Sequence, residues 1–108
     1  MVTSGLEPAA DFGGRWRIVD TVTAGEGAGQ TFTFDVVLAQ SGATLSGGNA
    51  QISLSGTVSG DTATVQFTQP SLGYSGTFVW TLTGRDAASG SFSSSVPNSG
   101  TSQLVRLG

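Results

Sequence analysis

The chain has 108 residues, enough for one domain that buries a single core without staples, and it contains no lysine, histidine or cysteine. Its net charge of -3 comes from seven acids against four arginines, so nothing can neutralise a run of phosphates and nucleic acid is excluded as a partner. The missing residue types also remove disulfides, thiolate and imidazole metal sites, a Ser-His-Asp triad and a Schiff-base lysine, so no metal or cofactor is expected.

Residues 1–12 read as an N-terminal segment and residues 13–108 as a single barrel domain. Residues 1–10 hold no apolar leader, so an exported protein would already have lost its signal. Residues 7–12 suit one short helical turn, with Pro8 tolerated near its start. No apolar run approaches the roughly 20 residues of a membrane helix.

From Arg15 onward, period-two alternation takes over and persists to the end. It predicts eight strands, over 15–22, 30–40, 43–47, 51–58, 61–69, 75–84, 89–94 and 101–107, and an all-β class. One face collects Trp16, Ile18, Phe32, Phe34, Val36, Leu38, Leu45, Ile52, Leu54, Val65, Phe67, Phe78, Trp80 and Leu82. The other collects threonines, Gln66 and Asp35, the last read as a solvated carboxylate. That polar face is not the apolar outer band of a membrane barrel. Eight short strands in succession predict an antiparallel up-and-down barrel, with a Greek-key sandwich as the alternative.

The connections divide into two sets. The first, third, fifth and seventh cover 23–29, 48–50, 70–74 and 95–100, and are on the whole the longer ones. The second, fourth and sixth, at 41–42, 59–60 and 85–88, are mostly two-residue turns containing glycine, as tight hairpins require. In a meander each set lies at one end, which predicts a sewn base and an open mouth. Asp61 and Asp86 read as turn formers. The glycine-rich lip at 23–29 has no lysine and no following helix, so it is no phosphate cradle. The Thr-x-Thr pairs are the ordinary wet face of a strand.

Gly14-Arg15-Trp16 at the head of the first strand, with Arg106 near the end of the last, resembles the Gly-x-Trp signature of lipocalins and the wider calycin superfamily. The chain is shorter than usual lipocalins and lacks their disulfides and C-terminal helix. The resemblance implies that Trp16 sits at the closed base with Arg106 packed across it, making Gly14, Trp16 and Arg106 a structural anchor. Residues 4–16 are also similar to the start of small periplasmic inhibitors of bacterial metalloproteases, barrels of the same superfamily. That second resemblance implies a protein partner met through residues 2–7. Both imply an extracellular or periplasmic location.

At the mouth, strand order places Asp20, Phe32, Phe67 and Phe78 near the top of the inward face, beside Tyr74 in the fifth connection. These five are the candidate ligand-binding residues: an aromatic wall with Asp20 and Tyr74 to orient a ligand. The same aromatics could instead fill the barrel, because eight strands leave room for side chains or for one small ligand. Small residues on the third and seventh strands (Ser46, Gly47, Ser89, Gly90, Ser91) favour some room. An inward Asp20 should carry a raised pKa. The leading expectation is a non-catalytic barrel that binds a small apolar or aromatic molecule. Alternatives are a protease inhibitor acting through residues 2–7, and a cofactor-free enzyme using Asp20 with Tyr74.

Overall fold

A computed structural model of the protein describes residues 11–71 and 73–107. Its strands are β1 (Gly14–Gly25), β2 (Thr31–Ser41), β3 (Thr44–Gly48), β4 (Ser53–Ser59), β5 (Thr62–Gln69), β6 (Tyr74–Gly84), β7 (Ala87–Ser94) and β8 (Asn98–Arg106). Each pairs antiparallel with its neighbour in the chain, and β8 returns to pair with β1, closing the barrel. The up-and-down barrel is therefore the fold, and the Greek-key alternative is set aside. Among the described residues there is no helix. The turn expected over residues 7–12 lies outside them, except for Asp11 and Phe12, which are not helical.

Alternation explains the faces. In β5, Ala63, Val65 and Phe67 are buried, while Thr64, Gln66 and Thr68 are exposed. Outside, Arg17 on β1 faces Asp35 on β2 and donates to its two oxygens at 2.8 and 3.0 Å. Asp35 is thus a paired carboxylate on the wet face, held below its ordinary pKa chiefly by the hydrogen bond from Arg17. Three residues assigned to the inner face are not fully buried: Phe34 and Leu82 are half-buried and Phe32 is 44% exposed. Phe32 opens β2 at the mouth, where no further layer of side chains covers it. In return the core takes Phe12, Val22, Val58, Ala63, Ala88, Phe92 and Leu104, which the inward list omits.

The two ends differ as the connections predict. At one end are the short turns 42–43, 60–61 and 85–86; at the other are the connections 26–30, 49–52, 70–73 and 95–97. Both described chain ends meet at the sewn end. Trp16 pairs with Arg106 across β1 and β8, and the indole Nε1 donates to the Phe12 carbonyl at 2.8 Å. The Arg106 guanidinium carbon lies 4.3 Å from the indole ring centroid. Its Nη1 donates to the Gly13 carbonyl, and its Nη2 donates to the Asp11 carbonyl at 2.9 Å. The Arg85 carbonyl and the Asp86 carboxylate, each at 3.3 Å, complete its surroundings. One side chain thus ties together residues 11–13, the last strand and the last base turn. Asp86, read from sequence only as a turn former, is also the counter-ion of Arg106.

Closure depends on close backbone approach as well as on packing. A Cβ on Gly90 of β7 would lie 1.7 Å from the Val79 carbonyl oxygen of β6. Glycine there lets the strands bend tightly around the barrel. Gly76 is similar on the other side: the Phe67 ring covers it so closely that a Cβ would meet the ring at 2.6 Å.

Candidate functional site

A cavity of about 400 Å³ opens at the end of the barrel that carries the long connections. Asp20, Phe32, Phe67, Tyr74 and Phe78, the five candidates from the sequence, all line it. Gly14, Trp16 and Arg106 do not; they lie at the opposite end. Tyr74 opens β6 instead of lying in the fifth connection, and it is 38% exposed at the rim.

The wall is built by strand order. Phe67 on β5 and Phe78 on β6 stack with centroids 4.7 Å apart, and Phe92 on β7 lies 6.2 Å from Phe78. Next below Phe78, Trp80 continues the stack at 4.8 Å and is itself fully buried. Tilted pairs at these separations suit the ring quadrupoles and hold the wall rigid. The small residues named from sequence on β3 and β7 (Ser46, Gly47, Ser89, Gly90 and Ser91) do not line the space. The space lies instead in the upper half of the barrel, where Asp20, Ser94 and Gln69 line it beside the aromatic wall.

The rim is tied by polar contacts. Ser94 Oγ donates to Asn98 Oδ1 at 2.5 Å, and Asn98 Nδ2 donates to the Glu26 carbonyl at 3.1 Å. Glu26 N donates to the Pro97 carbonyl at 3.0 Å, which fastens the first connection to the seventh. Two of the four lips are therefore joined over one side of the opening.

Asp20 is the one buried acid of the described residues, 4% exposed. In register it lies between Phe32 on β2 and Ser102 on β8. Ser102 Oγ donates to Asp20 Oδ1. Burial pushes the carboxyl up to about 7, against the opposing pull of the Ser102 hydrogen bond. A carboxyl in that range passes between neutral and negative near neutrality, which gives the cavity a polar group of switchable charge.

Phe34 and Ile52 were read as inward but not as site residues, and Ser102, Phe92 and the rim residues Glu26, Gln30 and Asn98 were not picked out from sequence. Ser102 was within reach, because counting back by two from Leu104 puts it on the inner face. A second depression lies at the base, lined by Asp11, Leu82, Arg85, Asp86 and Arg106, and of its two cations Arg106 is already engaged by the anchor. Among the described residues no group of three or more histidine, cysteine or carboxylate side chains is placed to hold a metal.

Fold and cavity together define a small closed antiparallel barrel, sewn at one end and hollow at the other. No protein-family model and no curated protein sequence matches the chain. Among solved structures it is similar to a redesigned β-barrel, with 26% identity over 89% of this chain and 91% of the other and a TM-score of 0.71. What the two share is the small eight-stranded antiparallel barrel.

Proposed function

We propose that this chain is a small calycin-like barrel that binds a small apolar or aromatic molecule at its open end, without catalysis. The observation that carries this reading is the cavity of about 400 Å³ walled by Phe67, Phe78 and Phe92. Ligand sites are typically concave spaces of roughly 300–1,000 Å³ with mostly apolar walls and a few polar groups. Asp20 and Tyr74 supply such polar groups here, one deep and one at the rim. The anchor of Trp16 and Arg106 supports the calycin-like reading through its place at the closed end.

The test is titration with a neutral, environment-sensitive apolar dye such as Nile red. Saturable one-to-one binding is expected, lost in Phe32→Asp while the circular dichroism spectrum is retained. A dye that does not saturate, or that binds Phe32→Asp equally well, refutes the reading. The inhibitor alternative rests on residues 2–7, which lie outside the described residues. Removing residues 1–7 should leave dye binding unchanged.

A further inference from the structure

We propose that the ligand is cationic, an aromatic or arylalkyl ammonium whose charge pairs with Asp20 and whose ring lies against Phe67 and Phe78. The inference rests on the pocket reading above and adds the charge of the occupant. Three observations carry it.

The first is the distribution of charge. The titratable groups lining the cavity are Asp20, Glu26 and Tyr74, all acids, and no arginine lines it. Arg85 and Arg106 stand at the sewn end, and Arg15 and Arg17 point outward from β1. An anionic ligand would meet two carboxylates and no cation.

The second is the state of Asp20. Among the described residues its hydrogen-bond partner is Ser102, which binds Oδ1, and Oδ2 receives no protein donor. A buried carboxylate with a single hydrogen bond is poorly compensated. The groups flanking it are Phe32 from β2 and Ser102 from β8, with Glu26 and Tyr74 as the other acids of the cavity. An ammonium N–H on the open oxygen would supply the missing donor with the right charge.

The third is the wall itself. The rings of Phe67, Phe78 and Phe92 line the space, and an organic cation in a desolvated aromatic pocket is attracted to ring faces. A hydrated inorganic cation would gain little from such a wall, whereas an arylalkyl ammonium uses both the rings and the carboxylate.

The experiment compares three probes of one shape by calorimetry at pH 8: 2-naphthylmethylammonium, 2-naphthylmethanol and 2-naphthoate. The ammonium is expected to bind at least about tenfold more tightly than the alcohol, as suits a charge-assisted contact, with the carboxylate weakest. Its preference should vanish in Asp20→Asn, and should also shrink in the unmodified protein at pH 5. Equal binding of ammonium and alcohol, or a preference that survives Asp20→Asn, overturns the inference and leaves the pocket reading standing. If neither alcohol nor ammonium binds, the pocket reading falls and the inference with it.

Discussion

Arg106 lies over Trp16 with its guanidinium carbon 4.3 Å from the ring centroid, and it simultaneously donates to the carbonyls of Gly13 and Asp11. The pair joins the two ends of the domain across the strands that close the barrel. Nothing else among the described residues combines a ring contact with hydrogen bonds to so many separate segments. Replacing Arg106 with alanine leaves those carbonyls without their donor and uncovers the indole. The expected cost is about 1–3 kcal/mol, read from urea denaturation. Lysine keeps the charge but cannot reach several carbonyls in a fixed fork, so Arg106→Lys should recover only part of the loss. An alanine variant that unfolds at the same urea concentration as the parent would refute the anchor.

Asp20 makes stability depend on pH. Its carboxyl titrates near 7 in the folded chain because it is buried, against an ordinary value of 3.8. The folded protein therefore retains a proton that the unfolded chain releases between those values. The contribution is full below pH 4, declines as pH rises through 7 and is flat above. The total decline should not exceed about 4 kcal/mol. Asp35 acts in the opposite sense, because Arg17 holds its carboxyl low, so its contribution is lost only as pH falls below the ordinary range. Asp20→Asn should remove the decline between pH 5 and 8.5 and be the more stable form at pH 8.5. Parent and variant with parallel pH profiles of melting temperature would rule this out.

Phe78 and Phe32 both line the cavity, yet they should differ sharply in what they contribute to stability. Phe78 is 1% exposed and contacts Phe67, Trp80 and Phe92, whereas Phe32 is 44% exposed. Phe78→Ala should cost about 3–5 kcal/mol. Phe32→Ala should cost under about 1 kcal/mol. Thermal denaturation of the two variants decides the point, and comparable losses would mean that the mouth is packed more tightly than the geometry indicates. This difference makes Phe32 the proper handle for binding studies.

Gly90 tests the closure of the barrel. A Cβ there meets the Val79 carbonyl oxygen at 1.7 Å, a backbone atom that cannot swing aside. Gly90→Ala should either prevent soluble expression or lower the melting temperature by more than alanine at Gly84, where a Cβ meets nothing within 4 Å. Equal melting temperatures for the two variants would show that β6 and β7 separate easily.

Much of the architecture was legible in the sequence because it follows from local rules. Side-chain alternation has a period of two, so the inward set from Trp16 to Trp80 could be read without any partner strand. Chain order and turn chemistry placed the short turns at one end and the long connections at the other. Asp20 was recognisable as inward for the same reason, and Arg106 as a neighbour of Trp16 once the last strand was paired with the first.

Strand order gave the end of the barrel that an inward residue nears, but not its depth there or its exposure, because these depend on the register of strands far apart in the chain. Alternation assigned Phe32 and Phe78 to the same face, but only the closed barrel set one at the rim and the other in the stack. Ser102 meets Asp20 across 82 positions of sequence, and Phe12 joins the core where Trp16 and Arg106 hold the backbone of residues 11–13 at the base. The cavity is likewise a property of closure, since its volume is what remains after side chains from eight strands have shared one interior. By itself, then, the sequence determined which face each residue occupies and which end each connection serves. Tertiary structure decided how deep each side chain lies, what it touches, and that the acids of the mouth stand apart from every arginine.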